Sequence, residues 1–206
     1  MSTYYEFGER LAFSKGVVAA TCKETIQNVL PGCVSVENTS LAIDKTGVDY
    51  IATLRRGAVV YIDHKAREKG CSQYWQRHAD ATVEPEIALE LWSVRPENDR
   101  PGKVGWTLDE AKQTHYTLHT FDPADSMEAF LIPFQILRKA YKQHFNLWNS
   151  GFKHGIQNSG SWTSECVFVP ITNIMIALRA AMRIGGVNAP TGELAECSTK
   201  QLTLFK

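Results

Sequence analysis

The chain has 206 residues, of which 44% are hydrophobic and 21% are charged, which is typical of a globular protein with one substantial core. Lysine and arginine together number 22, as do aspartate and glutamate, so the formal net charge is zero and any nucleic-acid site must be a local basic patch. The five cysteines are scattered without a CxxC pair, which favours reduced thiols and argues against a zinc site.

Predicted elements in the first half of the chain are one helix and four strands. Apolar residues recur at helical spacing from residue 5 to about residue 29, with a break near 14–16, and Pro31-Gly32 ends this helix. Segments rich in Val, Ile and Thr predict strands at 33–36, 48–54, 58–62 and 87–92. Arg56-Gly57 supplies the turn between the second and third of these strands.

The second half predicts a mixture of helices and strands. Thr107 and Glu110 have the spacing of a capping box, which predicts the beginning of a helix. A polar loop is predicted at 153–158. Strands are predicted at 116–121 and 166–169, a short apolar run at 130–134, and helices at 137–148 and 171–182. This order implies an α/β fold with a mixed sheet.

Asp49 and the run Asp63-His64-Lys65 are the strongest functional candidates, because they lie on neighbouring predicted strands. Side chains alternate across a strand, so Asp63 and Lys65 share one face and His64 points to the other. The two carboxylates and the His64 carbonyl could bind Mg²⁺, or Mn²⁺ as a substitute, since hard cations prefer oxygen ligands. The metal would activate a water and stabilise charge on a phosphate, and Lys65 would orient that water or contact the phosphate.

The alternative is a solvated ion pair on an exposed strand. Asp63 follows the strongly apolar run 59–62, and charged residues are rarely buried without a partner or a metal, which favours a site. An acid from a helix often completes a site of this type, and Glu9 and Glu24 are the two candidates.

The order of a helix, a strand with Asp49 and a strand with Asp63-His64-Lys65 resembles the PD-(D/E)XK nuclease superfamily, with Val48 in place of its usual proline. Other stretches are similar to phage and bacterial proteins of that superfamily, and the resemblance covers about residues 5 to 183. These stretches are ERLAFS at 9–14, LELWS at 89–93, GWT at 105–107, IPF at 132–134 and SECVFVP at 164–170.

This resemblance implies a restriction-endonuclease-like core within residues 1–184, with a mixed central sheet flanked by helices. It implies a Mg²⁺-dependent DNA nuclease, either an endonuclease or a structure-specific nuclease. It favours Glu9 as the helix acid, so that Glu9, Asp49, Asp63 and the His64 carbonyl would hold the metal. Some members have lost the chemistry, so an inactive DNA- or clamp-binding regulatory factor of a phage remains the alternative.

Other residues have a functional and a structural interpretation of similar weight. Glu90 is either a further site acid or a strand-edge residue, and Trp106 either stacks a base or packs in the core. A set of basic residues flanks the acidic strands and could contact a phosphate backbone, or could be solvated charge. They are Arg55, Arg56, Arg67 and Lys69.

From residue 185 the chain becomes small, polar and turn-rich, so residues 185–206 are predicted to be a flexible tail. Near its end, Gln201-Leu202-Thr203-Leu204-Phe205 resembles the bacterial sliding-clamp-binding peptide. In that peptide a Gln, a Leu and a Leu-Phe pair dock in the clamp, here Gln201, Leu202, Leu204 and Phe205. The alternative is a final strand or helical turn that packs on the core.

These features predict a cytoplasmic protein of a bacterium or a phage-infected host, with DNA and a bacterial or phage sliding clamp as partners. No signal peptide and no membrane-spanning segment is predicted. The oligomeric state is left open, with a dimer among the alternatives.

Overall fold

The computed structural model describes residues 17–40, 46–67, 85–97, 101–121, 128–158 and 161–184. Glu9, Lys69 and the predicted tail at 185–206 lie outside these ranges, as does the side chain of Arg67. Among the described residues, none of the helices is both long and apolar enough to cross a membrane.

The described part of the chain contains three α-helices and nine strands, and the strands form two sheets. The helices are α1 (Val17–Val29), α2 (Phe134–Gly151) and α3 (Ile171–Ile184). The strands are β1 (Cys33–Asn38), β2 (Tyr50–Leu54), β3 (Val59–Arg67), β4 (Glu86–Val94), β5 (Lys103–Val104), β6 (Tyr116–Phe121), β7 (Glu128–Pro133), β8 (His154–Asn158) and β9 (Thr163–Pro170).

The first sheet has the strand order β1-β2-β3-β6-β7. All its neighbours are antiparallel except β3 and β6, which run parallel, so the sheet is mixed. Gly57, with a φ of 76°, forms the turn between β2 and β3, a conformation that glycine adopts without steric penalty. Helix α1 covers this sheet, and its Cys22 and Ile26 pack with Ala52 and Ile62.

The second sheet has the order β5-β4-β9-β8 and is antiparallel throughout. Leu137 and Tyr141 of α2 and Ile174 of α3 are fully buried in a core with Leu89 and Val167 of this sheet. Burial of a leucine or isoleucine contributes about 1.5–3 kcal/mol relative to exposure. This core therefore holds α2 and α3 against the second sheet.

The predicted α/β class and the mixed sheet are confirmed. Two local predictions are wrong. The capping-box pair does not begin a helix, because Thr107 is buried and its hydroxyl accepts a hydrogen bond from the Glu90 amide at 3.0 Å. The predicted polar loop at 153–158 contains β8, whose residues pair with the apolar strand β9 at the sheet edge and leave polar side chains in solvent.

Candidate active site on the hairpin of β2 and β3

Asp49 and Asp63 lie close together on the first sheet. Tyr50 and Ile62 are the last regular pair of β2 and β3, and Asp49, which immediately precedes β2, has its carboxyl beside that of Asp63. The ladder is altered at this point, because the Asp49 amide donates to the Ile62 carbonyl at 2.9 Å and the His64 amide donates to Asp49 Oδ2 at 2.6 Å. The Asp49 carboxylate is therefore fixed beside β3 by a backbone hydrogen bond.

Asp63 is a buried carboxylate held by two lysines. Its side chain is 2% exposed, with Lys65 Nζ 2.6 Å from Oδ1 and Lys112 Nζ 3.3 Å from Oδ2. Burial alone would raise the pKa of Asp63, but Lys65 and Lys112 outweigh it and hold the pKa below its ordinary value. Asp63 is therefore ionised at neutral pH.

Asp49 has the opposite electrostatic character. Burial, reinforced by the negative charge of Asp63, raises the pKa of Asp49 to about 7, although Lys65 and the His64 amide act in the other direction. One carboxylate of the facing pair is thus ionised while the other titrates near neutrality. Such a division of roles between two acids is common at catalytic sites, though ion-pair networks also produce it.

His64 lies on the face of β3 opposite Lys65, as the strand alternation requires. Its Nε2 is 3.4 Å from Cys22 Sγ of α1 and 2.8 Å from Thr120 Oγ1 of β6. Burial, helped by the positive charge of Lys65, lowers the pKa of His64 to about 4, so the imidazole is neutral at pH 7. The side chain therefore packs the hairpin against α1, and only the backbone of His64 is beside Asp49.

The Lys65 ammonium lies 5.4 Å from the centre of the Trp106 ring, within cation–π range. Burial lowers the pKa of Lys65, but Asp63 and Asp49 outweigh this effect and the pKa lies above its ordinary value. Glu90 Oε2 accepts hydrogen bonds from the Trp106 amide at 2.8 Å and from Ser93 Oγ at 2.7 Å. Glu90, on β4 of the second sheet, thus holds the turn that places Trp106 beside Lys65.

Sequence reasoning missed Lys112, which reaches Asp63 from the turns between β5 and β6. Gly47 makes room for it, because a Cβ at that position would overlap the Lys112 ammonium. Gly47 also has a φ of 80°, which disfavours any other residue. Neither a motif nor a periodic pattern marks Lys112 in the sequence, so only the fold brings it to the acids.

The predicted basic residues are not all near the acid pair. Arg55 and Arg56 are exposed in the turn at the far end of β2, and six residues of extended chain place Arg55 about 20 Å from Asp49. Glu24 is exposed on α1, the helix whose Cys22 contacts His64 on the face opposite Lys65. The structure therefore brings together Asp49, Asp63 and Lys65, and separates them from Arg55 and Arg56.

The acid pair fits a hard divalent cation in ligand type, because two facing carboxylates and the adjacent backbone provide oxygen donors. Within the described ranges, no cluster of three or more His, Cys, Asp or Glu side chains that could hold a metal is present. Glu9, the third predicted acid, is outside those ranges. Metal binding here would release the proton of Asp49 and would compete with Lys112 for Asp63.

No family model, curated protein or solved structure gives a significant match to this chain. The function is therefore inferred from the cluster of acids and lysines and from the sequence motifs.

Proposed function

We propose that the chain is a Mg²⁺-dependent DNA nuclease with a restriction-endonuclease-like core of the PD-(D/E)XK type. The observation that carries this proposal is the pair Asp49, immediately before β2, and Asp63 on β3, whose carboxyls lie side by side, with Lys65 ion-paired to Asp63 at 2.6 Å. Two carboxylates that could hold Mg²⁺ and one fixed ammonium group are the protein side chains that metal-assisted hydrolysis of a phosphodiester uses.

Each residue of the site has a distinct role in this proposal. Asp49 and Asp63 would hold the cation with the His64 carbonyl and Glu9, and the cation would supply an activated water and neutralise phosphate charge. Lys65 would orient the water or contact the phosphate. Its position is set by Asp63 on one side and by the Trp106 ring on the other, which limits its motion.

The test is cleavage of duplex, single-stranded and branched DNA by the purified full chain with Mg²⁺ or Mn²⁺, and with EDTA as the metal-free control. Asp63→Asn and Lys65→Gln should each reduce the rate by at least about 100-fold, as loss of a charge-stabilising group does in other enzymes. Glu37→Gln, an exposed acid on β1, is the matched control and should cleave like wild type. Equal cleavage by wild type and Asp63→Asn would refute the proposal.

A second candidate is a regulatory protein on an inactive nuclease scaffold that binds DNA or a sliding clamp. The observation that favours it is the double engagement of Asp63, since Lys65 and Lys112 occupy both of its oxygens. Under this alternative the lysines are permanent structural partners of Asp63. Mg²⁺ and Mn²⁺ would then leave the unfolding temperature of the full chain unchanged, and neither metal would support cleavage.

The proposed delivery of the protein to replicating DNA rests on the sequence of the tail. Gln201, Leu202, Leu204 and Phe205 lie outside the described residues, and their resemblance to a clamp-binding peptide supports the sliding clamp as a partner in the cytoplasm. Pull-down of purified clamp with the full chain and with a chain lacking residues 201–206 tests it. Binding that survives the deletion would remove the clamp from the proposal.

A further inference from the structure

An open groove of about 470 Å³ runs along one face of α2. It is lined by five residues of α2, which recur at helical spacing so that their side chains point the same way, and by Glu110 from the turns before β6. They are Glu110, Gln135, Arg138, Lys139, Lys142 and Gln143. Three of these residues are cationic and only Glu110 is acidic.

Arg138 gives the groove a buried donor without an acceptor. Its side chain is 8% exposed, its Nη2 donates to the Asp109 carbonyl at 2.8 Å, and its guanidinium lies 4.6 Å from the centre of the Phe134 ring. The Arg138 Nε–H is buried and has no hydrogen-bond acceptor among the described residues. A buried donor left without an acceptor is unfavourable, and the negative charge of an anion beside the guanidinium would reduce this cost.

The lysines of the groove have weak or replaceable partners. Lys142 Nζ lies 2.6 Å from Glu110 Oε1, but both side chains are largely exposed, so solvent screens the pair and it contributes little to stability. Lys139 Nζ donates to the Ala181 carbonyl at 3.0 Å, which is a neutral partner. The first turn of α2 holds no acidic residue and its N-cap has no side-chain hydrogen bond, so the helix dipole adds positive potential at the Gln135 end of the groove.

The groove lies close to the candidate active site. Glu110 on its wall and Lys112 at Asp63 are two residues apart, so their Cα atoms are separated by at most about 7 Å. One short segment therefore contributes Glu110 to the groove and Lys112 to the acid pair.

We propose that the groove of Arg138, Lys139 and Lys142 binds phosphate groups, and that these belong to the nucleic-acid backbone beside the bond to be cut; this second part rests on the proposed function. Glu110 acts as a competing anion that a backbone phosphate displaces from Lys142. The ligand class is a phosphodiester, read by charge and not by base sequence.

The experiment measures binding of fluorescent duplex and single-stranded oligonucleotides to the full chain in EDTA, over a range of salt concentrations. Lys142→Gln should weaken binding about threefold or more and reduce the salt slope by about one. Glu110→Gln should strengthen binding, because it frees Lys142. Lys103→Gln, on β5 of the second sheet, is the matched control for loss of one lysine and should change affinity by less than Lys142→Gln.

A second arm measures the unfolding temperature of the same variants with inorganic phosphate. Stabilisation by phosphate that Lys142→Gln abolishes, together with equal DNA affinity in all variants, would assign the groove to free phosphate and overturn the nucleic-acid part. No dependence of either measurement on Lys142 or Glu110 would overturn the whole inference. The DNA-binding measurement is made without metal and without cleavage, so the two proposals can fail separately. The groove can fail to bind DNA while Asp63→Asn still abolishes cleavage, and it can bind DNA where no cleavage is found.

Discussion

Lys112 Nζ lies 3.3 Å from Asp63 Oδ2, although the two residues are 49 positions apart in the chain. Lys65 occupies the other oxygen of the same carboxylate at 2.6 Å. Two ammonium groups from different segments therefore share one buried acid. Removal of the acid or of either lysine should have measurable and different effects.

Asp63→Asn should destabilise the protein by about 2–3 kcal/mol, because it leaves Lys65 and Lys112 without their shared counter-ion. This value is below the about 3–5 kcal/mol that breaking a fully buried pair costs, since Lys65 is 33% exposed and keeps contact with water. Urea unfolding measures the change. Glu37→Gln should stay within about 0.5 kcal/mol of wild type, and an equal effect of both substitutions would contradict the described pairing.

Asp49→Asn should stabilise the metal-free protein increasingly between pH 4 and pH 7. Burial and the charge of Asp63 raise the pKa of Asp49 from 3.8 to about 7, so over this interval the folded state binds more protons than the unfolded state. The stability contributed by Asp49 therefore falls as the pH rises, by at most about 1.4 kcal/mol per pH unit, and becomes constant above pH 7. Asparagine keeps the acceptor for the His64 amide and does not ionise.

The measurement is the difference in unfolding free energy between wild type and Asp49→Asn across this pH range. His64, whose pKa is about 4, is present in both proteins and its contribution largely cancels in the difference. A difference that stays constant with pH would show that Asp49 has an ordinary pKa.

Lys112→Gln should increase the affinity for Mg²⁺, because the lysine and the metal compete for Asp63 Oδ2. Stabilisation by bound metal follows the ratio of its concentration to Kd, so the variant should reach a given rise in unfolding temperature at a lower Mg²⁺ concentration. Lys103→Gln serves as the control for loss of one positive charge. Weaker Mg²⁺ binding by Lys112→Gln than by this control would show that Lys112 supports the metal site.

Gly105→Ala should destabilise the protein by about 2 kcal/mol or more. A Cβ at this position would overlap the Glu90 carbonyl and approach its Cγ to 2.8 Å, and backbone of a central strand cannot easily move away. The Trp106 ring over Lys65 would move with it. Gly151→Ala is the control, because it lies at the end of α2 with no neighbour within 4 Å and should be neutral or slightly stabilising.

The hairpin of the site could be predicted because its signals are local. Segments rich in Val, Ile and Thr marked β2 and β3, and Arg56-Gly57 marked the turn between them, so the proximity of Asp49 and Asp63 needed only the correct register. The strand β3 continues to Arg67, well past the predicted end at 62, since its parallel pairing with β6 supports polar residues that a local pattern does not favour.

The parts of the fold and of the site that were not predicted depend on contacts between segments distant in sequence. The spacing of Thr107 and Glu110 suggested a helix, but the Thr107 hydroxyl binds the Glu90 amide and Glu110 pairs with Lys142, so tertiary contacts override the local preference. The second sheet was not predicted, because β8 is short and polar and becomes a strand only through its pairing with β9. The position of Lys112 could not be predicted either, because it is set by the packing of turns against Gly47.

The parallel pairing of β3 with β6 also bears on the order of folding. Between these neighbours the chain contributes β4 and β5 to the other sheet, so β6 can join β3 only after a long loop has closed. A fragment that ended at residue 97 would carry Asp49, Asp63 and Lys65 but neither Lys112 nor β6. We therefore expect the acid pair to reach its final arrangement late in folding, and the hairpin by itself to be an incomplete unit.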